Sequence, residues 1–472
     1  MFKVKSSTLL LFYVLIVSKA GSQNTIHRAE DEFDAVNAAV LQLYQDYPIV
    51  AIGEGQHNSA LTFQWLNTLL NEKQFPDVVN NIVVEFGASE YQQVMDDFVN
   101  NKDVPDSLLK KCWRETTQIL VWDNPIYEAF FRQVRQRNSG LPANKRIRVL
   151  LGDRSFGSKE NNDEHCFNII RQDVLEKNQT ALLIFGDLHF VKRDVFTNYA
   201  PAGEVNKEFL NVIQLLDIDY PNKAISIWGS INTNDSLTKQ ILVKENIRVG
   251  SLVRMSDSRL GEVDFRVFYP YPTQYRTDNM GRDIDTSQHI QMTMKHIVDY
   301  IIYRGSWEEQ NYLAPRPDDL YADTVYLNEL IRREQLVNIP PYRVRLYFYK
   351  VLGSKEFIPF ANAMENENIN SINSFYQPLK GMIPEANRMD VLNYIGYYYL
   401  RKKEIKKSIG VFKLAVREYP DKFNPYLGLG DAYLANDEKG KAIKSYEDAL
   451  LRSPGNTMIK DKIDQLKIKD GR

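Results

Sequence analysis

Four short apolar runs each end on side chains able to do acid–base or metal chemistry. Ile49-Val-Ala-Ile-Gly53 leads into Glu54 and His57 within Gly53-Glu-Gly-Gln-His57, and Ile82-Val-Val-Glu85 ends on Glu85 itself. Ile147 to Gly152 is followed by Asp153 and Arg154, and Ala181 to Gly186 runs into Asp187 and His189. The chain has 6 histidines, and two of them fall at these positions. A histidine beside a carboxylate can act as general base toward water, the carboxylate fixing its tautomer. An arginine such as Arg154 can stabilise a developing oxyanion. Alternatively, His57, His189, Glu85 and Asp187 are a ligand set for a divalent metal that would lower the pKa of bound water. Singly, each residue has a plainer use: Glu54 near a helix start, Asp153 and Asp187 in turns or caps, His57 in a structural hydrogen bond. Their convergence is what favours a site.

Convergence requires a particular scaffold. The runs are four to six residues long, which suits strands, and segments such as 59–70 and 125–137 between them carry apolar residues at helical spacing. This alternation predicts an α/β fold, a mostly parallel sheet flanked by helices, with a fifth strand at Ala224 to Trp228. In such sheets ligands bind beyond the carboxyl ends of the strands, where the residues above would gather. Trp113 and Trp122 lie in an insertion between the second and third strands that reads as a lid. Tyr269-Pro-Tyr-Pro-Thr-Gln-Tyr275 reads as a rigid connector or pocket mouth, and His289 and His296 as one face of a helical stretch over 283–303. There is no phosphate-binding glycine loop, dinucleotide fingerprint or Gly-x-Ser-x-Gly elbow, which argues against a nucleotide enzyme or a serine hydrolase.

Gly53-Glu-Gly-Gln-His57 after a first strand, Glu85 closing a second and Gly186-Asp-Leu-His189 after a fourth resemble the erythromycin esterase, ChaN and TIKI superfamily, nearest its esterase branch. The resemblance covers about residues 30–300, and Asn58 stands where the esterases usually carry glycine. It implies a hydrolase of an ester or amide bond in a small-molecule or peptide substrate, with His57 as base and Glu54, Glu85 and His189 around it. Other branches imply a metal-dependent peptidase, or a protein that binds haem or a metal without turnover.

Residues 393–420 and 427–454 align at a 34-residue offset, pairing Gly396 with Gly430, Tyr399 with Tyr433, Ile409 with Ile443, Phe412 with Tyr446, Ala415 with Ala449 and Pro420 with Pro454. Small residues for close helix approach, aromatics between helices and a terminating proline resemble tetratricopeptide repeats. Residues 390–469 are read as two such repeats plus a capping helix from Asn456, and 301–389 as a helical bridge. The module can contact a protein partner or simply cap the main domain.

At the start, Lys3 and Lys5, the apolar stretch Thr8 to Val17 and Ser18-Lys19-Ala20 have the pattern of a signal peptide over residues 1–20, implying export to a periplasm or the extracellular space. Ten apolar residues are too few for a spanning helix, so the mature chain should carry no transmembrane helix. A formal net charge of -2 and no long basic run argue against a nucleic-acid partner. Cys112 and Cys166 could pair in one way only, and two cysteines cannot build a cysteine-ligated zinc site.

Overall fold

The computed structural model describes residues 23–192, 210–268, 293–314, 316–317, 319–365 and 369–468. The proposed signal segment, the Tyr269–Tyr275 loop and His289 lie outside them. The chain divides into two compact units, residues 1–316 and 317–472.

The first unit is built on seven strands: β1 (Ile49–Gly53), β2 (Asn81–Ala88), β3 (Arg148–Asp153), β4 (Ala181–Phe185), β5 (Ala224–Trp228), β6 (Ser251–Arg254) and β7 (Tyr300–Tyr303). Their order is β3-β2-β4-β1-β5-β7-β6. All neighbours are parallel except β6 and β7. The expected α/β architecture is therefore present, with two further strands. β7 occupies 300–303, the end of the stretch read as helical; β-branched Ile301 and Ile302 between tyrosines favour the pleat.

The longer helices of this unit are α1 (Gln23–Gln42), α2 (Ala60–Asn71), α3 (Gln92–Val99), α4 (Pro125–Ser139), α5 (Asn162–Ile170), α6 (Val212–Asp219) and α7 (Ser236–Lys244). They explain why the strands read as unbroken apolar runs. Val50, Ile52, Ile82, Val84, Leu182 and Ile184 face one core with Phe63, Trp65, Tyr127 and Phe130 from α2 and α4. Their strand neighbours Ile49, Ala51, Val83, Ala181 and Leu183 face a second core with Phe167, Ile170 and Ile213 from α5 and α6. Alternate side chains thus enter different cores, and both must be apolar.

β4 lies between β1 and β2. The chain leaves β1 and β2 for the first core and leaves β4 for the second. Connections departing to opposite faces open a crevice at the strand ends, which makes the carboxyl end of β4 the switch point of the sheet.

The second unit is all helical: α8 (Thr324–Val337), α9 (Pro340–Leu352), α10 (Phe357–Glu365), α11 (Ile369–Lys380), α12 (Arg388–Arg401), α13 (Ile405–Glu418), α14 (Phe423–Ala435), α15 (Lys439–Arg452) and α16 (Thr457–Ile468). The 34-residue offset becomes a repeated contact. A Cβ on Gly396 of α12 would come within 2.5 Å of the Phe412 ring of α13, and one on Gly430 of α14 within 2.4 Å of the Tyr446 ring of α15. No helix among the described residues is long and apolar enough to cross a membrane.

Candidate functional site

At the end of β1 the Glu54 N–H still donates to the Phe185 carbonyl of β4 at 2.8 Å, so Glu54 is held in the plane of the sheet and buried. The chain then turns sharply. Gly55 has φ +75°, and Asn58 has φ 66°, the left-handed region that asparagine and glycine share. Ser59 caps α2 by accepting from Thr62 N at 3.3 Å, while Thr62 Oγ1 donates to the Glu54 carbonyl at 2.8 Å. This turn brings His57 back over Glu54, with Nδ1 bonded to Glu54 Oε1. The Trp122 ring meets His57 edge-on at 4.7 Å, and the Tyr127 hydroxyl lies 3.5 Å from Glu54 Oε2.

Glu85, at the end of β2, accepts from Gly186 N at 2.8 Å and lies 3.3 Å from His189 Nε2. The other nitrogen of His189, Nδ1, is 2.6 Å from Asp163 Oδ1 on α5. His57 lies over Gly186, where a Cβ would approach its Cε1 to 3.0 Å. Glu54, His57, Glu85, His189 and Asp163 therefore form a chain of alternating carboxylates and imidazoles across the switch point.

The charge states follow from burial set against these partners. Burial opposes charge on His57, yet Glu54 and Glu85 outweigh it and raise the imidazole to about 9. Burial likewise resists ionisation of Glu85, but His189, His57 and the Gly186 amide hold it down at about 2. His189 is buried too, and Asp163 with Glu85 still pushes it well above the ordinary histidine value. For Glu54 burial prevails and the carboxyl is raised, with His57 partly opposing. His57 is the reachable member: its side chain is 36% exposed against 1% for Glu54.

Not every expected residue joins this cluster. Arg154 turns away, its Nε donating to Asn162 Oδ1 at 3.0 Å and its Nη1 to the Ser158 carbonyl. The guanidinium buried beside Glu54 is that of Arg304, just past β7, whose Nη2 lies 3.4 Å from the Glu54 carbonyl and donates to the Gly229 carbonyl. Asp187 ties backbone together, accepting from Gly229 N at 3.0 Å and Gly55 N at 3.3 Å. Burial pushes it up to about 6, with those amides and Arg304 opposing. Asp153 accepts from Thr117 N at 3.0 Å, a turn role.

Among the described residues, the three whose ligand atoms lie within 4.8 Å of one another are Glu54, His57 and Glu85; the set differs from the expected one by including Glu54 and leaving out Asp187 and His189. Trp113 and Trp122 are core residues, not a lid, since their rings pack in the aromatic cluster of Phe86, Tyr127 and Phe131. His296 sits on a short helix, 3.0 Å from Thr293 Oγ1. Both cysteines are buried free thiols.

Sequence reasoning missed Asp163, Tyr127 and Arg304. Asp163 follows the N-cap Asn161 and reads as a first-turn acid, Tyr127 as part of an apolar helix face, and Arg304 as the start of a bridge. Only the fold brings Tyr127 and Arg304 to Glu54 and Asp163 to His189.

In the helical unit a groove of about 330 Å³ lies between α12 and α14, lined in part by Asn393, Tyr394, Arg401, Asn424 and Leu427. Asn393 is 8% exposed, and its Oδ1 has no hydrogen-bond partner among the described residues.

No protein-family profile matches the chain, and no solved structure does. A curated relative is the tetratricopeptide repeat domain-containing protein PYG7, chloroplastic, of Arabidopsis thaliana, 29% identical over 117 residues. The match spans 25% of this chain and 36% of that protein. The helical pairs of the second unit fit this likeness. The resemblance to the esterase, ChaN and TIKI superfamily receives no support from the comparisons and rests on its motif residues.

Proposed function

We propose that the α/β unit is a hydrolase of an ester or amide bond, with Glu54, His57, Glu85 and His189 as its site. The observation that carries this reading is the buried Glu54 bonded to Nδ1 of a half-exposed His57 at the switch point of the sheet. Glu54 orients the ring and leaves Nε2 for water or substrate. With a pKa of about 9, His57 is a strong but scarce base: near pH 7 roughly one ring in a hundred is neutral. His189, held between Asp163 and Glu85, fixes the Glu85 carboxylate beside His57. The proposed macromolecular partner is a peptide segment in the groove between α12 and α14, in line with the repeat likeness. Export remains proposed on Lys3, Lys5 and the apolar run that follows.

A screen of ester and peptide substrates with wild type and His57→Ala tests this. Hydrolysis should fall about 10²–10⁴-fold in the variant, the range for losing a general base, with the melting temperature held near wild type. Undiminished turnover by folded His57→Ala would overturn it.

A second reading is a divalent metal held by Glu54, His57 and Glu85, favoured by their proximity. Two carboxylates and one imidazole suit a zinc- or manganese-like ion, which would acidify bound water once the His57 proton is displaced. Elemental analysis of protein purified without chelator separates the two, stoichiometric metal supporting the second. Haem ligation is less well served, because both nitrogens of His189 are engaged by carboxylates.

A further inference from the structure

Outside this cluster, the fold assembles a second arrangement of acid, imidazole and hydroxyl. Ser89 Oγ lies 2.8 Å from His165 Nε2. The other nitrogen of that ring, Nδ1, lies 2.8 Å from Glu160 Oε2. Each residue comes from a different segment: Ser89 follows β2, Glu160 lies in the loop after β3, and His165 is on α5. We infer that Ser89, His165 and Glu160 form a nucleophilic triad that takes an acyl group from a solvent-accessible carboxylic ester.

Three features favour this over a structural hydroxyl. First, Ser89 stands where β2 passes directly into a helical turn and then α3, which sets its hydroxyl at the carboxyl edge of the sheet. The local sequence Gly87-Ala-Ser89-Glu-Tyr91 has the first glycine of a nucleophile elbow and tyrosine in place of the second, so no sequence motif announces it. Second, the cap position of this turn is held by Ala88, so the Ser89 hydroxyl is not engaged as a helix cap. Here the recorded bond of the hydroxyl goes to an imidazole 76 positions away. Third, the triad is reachable. Ser89 is half-buried, and the His165 side chain is 23% exposed. Asp163 and His165 are two positions apart on α5, so they point to different sides of the helix. One serves His189 and the other Ser89, which keeps the two clusters distinct.

The bonding fixes the roles. His165 Nδ1–H donates to Glu160, leaving Nε2 to accept the Ser89 proton as Oγ adds to the ester carbonyl carbon. The imidazolium returns that proton to the leaving alkoxide as the C–O bond breaks, giving an acyl-serine and an alcohol. Water, deprotonated by His165, then releases the carboxylic acid and restores Ser89. An ester suits this site better than an amide, because Glu160 is 67% exposed and orients the ring across solvent, where its effect is weak.

The test is covalent labelling of the full chain with a fluorophosphonate probe, followed by peptide mapping, with burst kinetics on p-nitrophenyl acetate. The label is expected on Ser89 in wild type and absent in Ser89→Ala. His165→Asn should slow labelling on the order of 100-fold, and Glu160→Gln, at an exposed position that keeps the fold, about tenfold. His57→Ala should label as wild type does. A label that maps elsewhere, a rate unchanged in folded His165→Asn, or a Ser89 label lost in His57→Ala would each overturn the triad. The covalent label and the residue it maps to do not depend on the hydrolysis assigned to His57.

Discussion

Two histidines share Glu85, and their protons make the residue scale testable by pH. His57 has a raised pKa, so its contribution to stability is complete below the unfolded histidine value near 6.5 and is lost as pH rises through about 9. Glu85 is depressed, so its contribution is present above the unfolded value near 4.5 and is lost as pH falls through about 2. Chemical denaturation across pH should therefore show wild type weakening from pH 7 to 10 more steeply than His57→Gln; parallel curves would refute the assigned protonation. If His57 is the base, turnover should climb about tenfold per pH unit from neutrality and level off above about 9. A profile that falls above that pH would assign His57 the role of an acid instead. Gly55 offers a backbone test, because φ +75° strains any residue with a Cβ. Gly55→Ala should cost about 1–2 kcal/mol, read as a lowered melting temperature together with loss of hydrolysis.

Among the elements, those with a strong period were legible. The runs later seen as β1 to β5, and the segments that became α2 and α4, are marked by apolar composition and length alone. The short strands β6 and β7 were not, because four residues with half-exposed ends carry little period, and their pairing with each other and with β5 fixes them. The lid reading failed for a related reason: an irregular segment looks mobile in sequence, whereas its two tryptophans bury their rings in the main core. In the repeats the same logic gives a prediction. Gly396→Val would drive a side chain into Phe412, and overpacking of this kind costs about 1–3 kcal/mol. Calorimetry should show a lowered transition for the helical unit with the α/β unit unmoved.

For the whole molecule, the two units should behave as separable folding bodies. The segment after β7 still belongs to the first: Ser59 Oγ donates to the Gln310 carbonyl at 2.9 Å, and Ala314 N to the Asn58 carbonyl at 2.8 Å. A chain ending at Arg316 should therefore keep the sheet, and one ending at residue 300 should not, since it cuts β7 and the Arg304 tether away. Circular dichroism and melting of the two truncations would check this, and cooperative melting of the shorter chain would contradict it.

By itself the sequence determined the class of each unit, since hydrophobic period and a 34-residue repeat are local properties. It also marked Glu54, His57, Glu85 and His189, because a strand end is where a polar residue interrupts an apolar run. Tertiary structure alone decided which of these meet. Strand order put β4 between β1 and β2, and that placed Glu85 against His189, brought Asp163 in from α5 and Arg304 from beyond β7, and turned Arg154 away. Ser89, Glu160 and His165 show the limit most sharply: their partnership spans three segments, and no spacing along the chain encodes it.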